Sequence, residues 1–241
     1  VYGVESLSRV LGHLASGEEH EPIIPETQTE ITYTFPSYTI GFGDIHGQET
    51  AKRGLERAAA GGHYIALFGP PGTGKTMLAR AFASILPPLS FEEILEATSI
   101  HSVAGILDEL VTHPPFRSPH HTASYVSLVG GGTIPKPGEV TLAHLGVLFL
   151  DEFPEFERRV IDALRQPLED RTVSISRVKG SATFPASFTL IAAMNPCPCG
   201  NFGSHKECVC NPSALLRYQR KLSGPIVDRI DMWVEVPHVD I

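Results

Sequence analysis

Residues 64 to 76 read Tyr64-Ile-Ala-Leu-Phe-Gly-Pro-Pro-Gly-Thr-Gly-Lys-Thr76, and this stretch decides the fold. Its last eight residues match G-x-x-x-x-G-K-[ST], a glycine-rich loop that wraps a polyphosphate in backbone N–H groups. The context makes the match specific. Tyr64 to Phe68 is a short apolar run of the kind that forms a buried strand, and Met77-Leu-Ala-Arg-Ala-Phe-Ala-Ser-Ile-Leu86 repeats its apolar residues at helical spacing. Strand, loop and helix in that order aim a helix N-terminus at an anion. Gly69, Pro70, Pro71, Gly72, Thr73, Gly74, Lys75, Thr76 and Met77 are therefore candidate nucleotide contacts. Lys75 is placed to reach the β- and γ-phosphates, and the Thr76 hydroxyl to take one Mg²⁺ position. The expected ligands are ATP and Mg²⁺.

Hydrolysis asks for more than binding. Val147-Leu-Phe-Leu150 is a second apolar run, followed at once by Asp151 and Glu152. A buried parallel strand would present both acids at its C-terminal end, where ligands of open α/β sheets sit. Asp151 suits Mg²⁺ coordination through water, and Glu152 suits polarising the attacking water. A third run, Phe188 to Ala193, ends in Met194-Asn195-Pro196. Asn195 is either a sensor of the γ-phosphate and its water or an ordinary turn opener. Gly224-Pro-Ile-Val-Asp-Arg-Ile-Asp231 reads as a short helix leading into a strand at Met232 to Val236. Arg229 there is either an arginine finger for a neighbouring subunit's nucleotide or the partner of Asp228 or Asp231 in a surface salt bridge.

These elements in this order resemble the AAA+ ATPases. Phe116-Arg-Ser-Pro-His-His-Thr122, Gly130-Gly-Gly132, Ile134-Pro-Lys-Pro-Gly-Glu139, Leu150-Asp-Glu-Phe-Pro-Glu-Phe156 and Ala193-Met-Asn-Pro-Cys-Pro-Cys-Gly200 narrow the likeness to the magnesium-chelatase-like ComM/YifB family, over about residues 40 to 241. The resemblance implies an α/β P-loop fold of AAA+ type, a parallel sheet flanked by helices with an inserted β-hairpin. It implies a homo-hexameric motor that acts on DNA, single-stranded or branched, and promotes branch migration of recombination intermediates during natural transformation. It also gives Lys75, Thr76, Asp151, Glu152, Asn195 and Arg229 the roles argued above. Because magnesium chelatase shares this core, a motor that remodels a partner protein is the alternative. A third, non-enzymatic alternative is a nucleotide-dependent scaffold, against which the complete Lys75, Asp151, Glu152 and Asn195 set argues. The family further implies a Lon-protease-like domain before the core and a helical lid with a second sensor arginine after it. Residues 1–40 are thus expected to be the tail of a preceding domain plus a linker, 41–241 the nucleotide-binding core, and the whole chain an internal piece that lacks the lid. Ile45 and His46 lie where related ATPases contact adenine, or they are loop packing.

Composition bounds these expectations. At 241 residues, 42% hydrophobic and 19% charged, the chain has an ordinary globular make-up. No run approaches the ~18 apolar residues of a membrane span and no N-terminal signal pattern is present, which points to a cytoplasmic protein without a membrane partner. The net charge of −8 argues against a strongly basic nucleic-acid binder. The charge is uneven, however. Glu18, Glu19, Glu21, Glu26 and Glu30 crowd the N-terminal region, whereas 110–138, 171–206 and 208–227 contain no acid. A ring could line its channel with such stretches and keep an acidic outside.

Val4 to Leu14 reads as an amphipathic helix, residues 17–40 as a linker with a short strand at Ile31 to Thr34, and Gln48 to Ala60 as a helix. Glu155 to Asp170 reads as one helix burying Val160, Ile161, Leu164 and Leu168. Thr172 to Val178 alternates polar and apolar residues, Lys179-Gly180 can turn, and Ser181 to Phe184 returns, giving a hairpin. In this ATPase clade such hairpins point into the ring's channel, so Arg177 and Lys179 are candidates for DNA-backbone contact, or a solvated tip. All four cysteines fall in one window, Cys197-Pro-Cys199 and Cys208-Val-Cys210. Four thiolates in a reducing compartment suit a structural tetrahedral Zn²⁺, with His205 able to replace one; reduced buried thiols and two disulfides are the alternatives.

Overall fold

The computed structural model describes residues 4, 6–14, 23, 40–107, 109–132, 135–177, 180–202, 206–222 and 224–239. The chain divides into two units, Val1–Thr34 and Phe35–Ile241. In the first, α1 spans Leu7–Leu14. The strand expected at residues 31–34 and most of the linker lie outside the described residues.

The second unit runs α2 (Glu49–Gly61), β1 (Ile65–Phe68), α3 (Lys75–Ala83), α4 (Phe91–Ala104), β2 (Phe116–Arg117), α5 (Tyr125–Val129), β3 (Gly130–Gly131), β4 (Lys136–Pro137), α6 (Glu139–Leu142), β5 (Val147–Leu150), α7 (Arg158–Asp162), α8 (Arg165–Asp170), β6 (Thr172–Arg177), β7 (Gly180–Pro185), β8 (Thr189–Met194), α9 (Pro212–Gln219), α10 (Gly224–Val227) and β9 (Met232–Glu235). Five strands form one sheet in the order β2-β5-β8-β1-β9, and every pairing in it is parallel. Two cores explain why the strands read as unbroken apolar runs. Ile65, Leu67, Val147, Phe149, Ile191, Ala193 and Val234 face α2 and α3, packing with Leu55, Leu78 and Phe82. Their neighbours Ala66, Leu148, Leu150, Leu190 and Ala192 face the other way, against Val140, Val160, Ile161, Leu164 and Ile226. A parallel sheet covered on both faces has no side left for polar alternation. Among the described residues no helix is long and apolar enough to cross a membrane.

Two expectations about local structure need correction. The single helix expected over 155–170 is broken into a 3-10 turn at Phe153–Glu155, then α7 and α8. Pro167 is the cause. Its ring would collide with the carbonyl four residues back, at Ala163, where the helix stops; in the first turn of α8 its missing N–H costs nothing. The apolar positions survive the break, since Val160, Ile161, Leu164 and Leu168 are all buried. The helix expected at 224–231 is only the single turn α10.

The hairpin pairs β6 with β7 from Thr172↔Pro185 to Arg177↔Gly180. Val173 and Ile175 are buried, while Ser174 and Ser176 meet Thr183 and Ser181 at 3.3 and 3.2 Å across its polar face. Residues 178–179 at its tip, Lys179 among them, lie outside the described residues. Helix α4 has a start signal that its apolar pattern alone does not show. Ser90 Oγ accepts from Glu93 N at 3.4 Å and Glu93 Oε2 accepts from Ser90 N at 2.7 Å, a reciprocal cap.

Candidate nucleotide site

Register builds the site. Phe68 is level with Met194, and Leu150 with Ala192, so β1, β5 and β8 end at the same edge of the sheet. The residues that follow them are the glycine-rich loop, Asp151-Glu152 and Asn195. Ligands of open α/β sheets bind at such carboxyl ends.

The loop is held from both sides. Gly69 N donates to Met194 O at 3.2 Å, and a Cβ added at Gly69 would stand 2.1 Å from the Val236 carbonyl oxygen, so no larger residue fits between β8 and the chain after β9. Thr73 Oγ1 donates to Pro70 O at 3.0 Å. Lys75 opens α3, and its Nζ donates to the Gly69 and Pro70 carbonyl oxygens at 2.8 and 2.7 Å and to Asn195 Oδ1 at 3.2 Å. Burial of the ammonium lowers the Lys75 pKa from the ordinary lysine value, and the Asp151 charge acts against that shift. Thr76 Oγ1 donates to Asp151 Oδ2 at 2.8 Å, and Glu152 N donates to Asp151 Oδ1 at 2.9 Å. Two hard oxygen donors therefore meet at one point beside the phosphate loop, a donor set that suits Mg²⁺.

Lys75, Thr76, Asp151, Glu152 and Asn195 are thus drawn from three segments into one place. Ile45 is buried in the core beside α2 and α3, His46 is exposed, and Met77 is exposed on α3. Arg229 does not pair with Asp228 or Asp231. Its guanidinium pairs with Glu169 and donates to the Pro225 carbonyl oxygen, while Asp231 accepts from Tyr64 N at 2.8 Å. Arg177 ends β6.

Several contributors carry no sequence signal of their own. Gln48 Nε2 donates to Thr73 O at 3.2 Å and to Pro237 O at 2.7 Å, tying the phosphate loop to the segment after β9. Tyr218, buried on α9, donates its hydroxyl to Asn195 O at 3.0 Å; burial pushes its phenol up to about 12, with the Glu155 charge adding to the shift. His121 Nδ1 lies 2.9 Å from Glu152 Oε2.

The four cysteines converge next to this site. All are free, and their Sγ atoms all lie within 4.8 Å of one another, with Cys197–Cys199, Cys199–Cys208 and Cys197–Cys208 at 3.4, 3.7 and 3.8 Å. A tetrahedral zinc with ~2.3 Å bonds needs sulfurs about 3.8 Å apart, so the spacing fits. A hydrogen bond from the Asn201 backbone pulls Cys199 down to about 6. Cys210 also takes a lowering backbone hydrogen bond, from Cys199, but desolvation and the neighbouring thiols push it up to about 12. His205 lies outside the described residues. The turn at Gly200 (φ +81°) brings this cluster onto the phosphate loop, where a Cβ at Gly200 would stand 2.6 Å from Pro71 Cδ.

A family model described as magnesium chelatase, subunit ChlI, matches residues 41–241. The chain belongs to this magnesium-chelatase-like family of AAA+ ATPases. Two curated members of it are closely similar: YifB of Salmonella typhimurium, 54% identical over 205 residues, and competence protein ComM of Haemophilus influenzae, 48% identical over 242 residues. These matches take in 84% and 98% of this chain but only 40% and 47% of the relatives, so the chain spans less than half of their length. Among solved structures, NtrX from Brucella abortus in complex with ATP superposes with a TM-score of 0.51 at 21% identity, covering 81% of this chain and 39% of that one, a likeness of fold.

Gly200→Ala should press Pro71 out of place and strain a left-handed turn. The expected result is roughly tenfold weaker binding of a fluorescent ATP analogue with metal content unchanged. Wild-type affinity in that variant would show that the cysteine turn and the phosphate loop are mechanically independent.

Proposed function

We propose that this chain is the ATP-hydrolysing core of a ring-forming motor that acts on DNA, branch-migrating recombination intermediates during natural transformation. One observation carries the hydrolytic part: the Lys75, Thr76, Asp151, Glu152 and Asn195 side chains converge at the ends of β1, β5 and β8. The kinship with a competence protein carries the DNA part. In this proposal residues 1–40 lead in from a preceding domain and 41–241 form the motor core, in the cytoplasm.

Phosphoryl transfer leaves a protein mainly positioning and charge stabilisation to do. Lys75 is already stripped of water and aimed along the phosphate loop, so its ammonium meets the β- and γ-oxygens at little reorganisation cost. Asn195, whose Oδ1 accepts from Lys75 Nζ, would sense whether a γ-phosphate has replaced that contact. Glu152, fixed by its N–H on Asp151, orients and deprotonates the attacking water. Thr76 and Asp151 would hold Mg²⁺, which neutralises charge developing between the β- and γ-oxygens. Ile45 and His46 would lie near the base, and Arg177 and Lys179 would meet DNA phosphates without reading sequence.

Arg229 pairs with Glu169 of its own chain and donates to the Pro225 carbonyl oxygen. In this proposal Arg229 would leave that pair to serve a neighbour's nucleotide, making a homo-oligomer, a hexamer by family, part of the active site. The family model and a 28% identical magnesium-chelatase 67 kDa subunit from Chlorobaculum parvum favour a second use of the same core, remodelling a partner protein.

Lys75→Ala should abolish tight nucleotide binding, and Glu152→Gln should bind normally but hydrolyse on the order of 10²-fold more slowly or worse. In the full-length protein, single-stranded or branched DNA should raise wild-type turnover several-fold. Turnover indifferent to DNA would favour the partner-remodelling motor; Glu152→Gln turning over like wild type would remove Glu152 from the chemistry.

Removing the finger in Arg229→Ala should cost about 10³-fold or more in the assembled ring, with ATP affinity nearly unchanged. Mixing that variant with Lys75→Ala subunits, in which each mutant supplies what the other lacks, should restore part of the rate. A full rate in Arg229→Ala alone would exclude the finger.

Cys197, Cys199, Cys208 and Cys210 would bind one Zn²⁺, which supplies a rigid cross-link and no chemistry at the phosphates. Elemental analysis should find about one zinc per chain, lost in Cys208→Ser, with hydrolysis impaired more than nucleotide binding because the cluster supports Asn195 and Pro71. Four titratable thiols, no metal and full activity in Cys208→Ser would reduce the cluster to buried thiols.

A further inference from the structure

A concentration of positive charge lies beside the nucleotide site and takes no part in the mechanism above. A cleft of about 310 Å³ opens between the 3-10 turn at Phe153–Glu155 and the end of α9. Arg158, Arg217, Arg220 and Lys221 line it. Its apolar lining, Pro154 and Phe156, is buried, so what the cleft shows to solvent is almost wholly charged.

The helix sets the row. The hydrogen bonds of α9 run on past Gln219, with Arg220 N donating to Leu216 O at 3.0 Å and Lys221 N to Tyr218 O at 3.1 Å. Arg217, Arg220 and Lys221 therefore stand at i, i+3 and i+4, neighbours on one face, where like charges repel. The negative end of the helix dipole offsets part of that repulsion and keeps the row in place in the free protein. Acids answer only some of it. Glu155 takes Lys221 at 2.6 Å, and Asp162 stands 3.8 Å from Arg158. Arg217 and Arg220 are exposed and have no acidic partner among the described residues.

Shape separates the ligands that this charge could take. The cleft runs on into a hollow of about 240 Å³ that shares Glu155, Arg217 and Lys221 and is bounded by Tyr218 and Pro198. A groove continued in this way suits a chain of phosphates better than one small anion. The core of a protein interface is depleted of charge and rich in apolar side chains, the opposite of this cleft. Arrays of Arg and Lys that meet a nucleic-acid backbone need no apolar anchor and read no sequence.

We infer that this groove binds the phosphate backbone of single-stranded DNA, with Arg217 and Arg220 as its main contacts and Arg158 and Lys221 beside them. The inference rests on the reading of this chain as a DNA motor and adds a site on residues other than Arg177 and Lys179. Both walls of the groove are joined to the nucleotide site. Glu155 N donates to Glu152 O at 2.7 Å, and the Tyr218 hydroxyl donates to Asn195 O at 3.0 Å. A DNA phosphate that draws Lys221 from Glu155 thus pulls on a turn whose other end is Glu152.

The test uses the full-length protein and a fluorescent oligothymidylate, titrated at several salt concentrations. Arg217→Ala/Arg220→Ala should bind it roughly tenfold more weakly at low salt. Each phosphate contact on a single strand contributes about 0.7 to the slope of log affinity against log salt, so two lost contacts should lower the slope by about 1.4. Arg217→Lys/Arg220→Lys, which keeps both charges, should keep most of the slope. Affinity for a fluorescent ATP analogue and the size of the assembly by light scattering should not change. Should the double alanine variant fail to fold, Arg217→Gln/Arg220→Gln removes the same charges with less loss of side chain. Wild-type affinity and slope in the alanine or glutamine variant would overturn the inference. So would an assembly that falls apart in those variants with the slope intact, the result for a groove filled by an acidic surface of a neighbouring copy. If the wild-type protein bound no oligothymidylate, the DNA reading would fail first and this inference with it.

Discussion

The Lys75 ammonium is the interaction on which the rest of this molecule depends. It is 8% exposed and stands among two carbonyl oxygens of its own loop and the Asn195 side chain. An ammonium taken out of water needs oxygens around it, and these are supplied by two different strands. The same contacts therefore satisfy the charge and tie the loop after β1 to the end of β8. An ATP phosphate entering the loop would compete with those oxygens for the ammonium.

Around that charge the second tier is built from contacts that reach across sequence. Tyr218 on α9 holds the Asn195 carbonyl oxygen, Gln48 bridges Thr73 to Pro237, and the cysteine turn lies on Pro71. Three segments far apart in the chain thus bear on one eight-residue loop. A metal in the cysteine cluster would serve the nucleotide through stiffness, because neither the cluster nor Tyr218 touches the phosphate loop with a group that can do chemistry. Arg229 is held within its own chain, its guanidinium paired with Glu169.

Legibility in the sequence followed the range of the physics. Local terms read true: the glycine-rich loop between an apolar strand and an amphipathic helix, the acids after Val147 to Leu150, the alternation in Thr172 to Arg177. The break at Ala163 was also written locally, in Pro167, but the apolar spacing over 155–170 is the same for one helix as for two and concealed it. The cap pair Ser90 and Glu93 announces α4 in plain residue types, yet α4 buries only Ile94, Ala97 and Ile100 and so shows a weak stripe. The short edge strand β2 has two residues and no pattern at all; it exists because Val147 and Leu148 offer it a partner.

Sequence by itself determined which chemistry this protein can carry, because phosphate binding, metal coordination and water activation each demand fixed residue types at fixed local spacings. It also determined that the strands would be buried on both faces. Only the tertiary structure decided who meets whom. That Asn195 takes Lys75, that His121 takes Glu152, that Gly200 lies on Pro71 and that Arg229 turns to Glu169 are outcomes of strand order and register. A one-residue slip in a parallel pairing would send each side chain to the opposite face, and no local propensity encodes that choice.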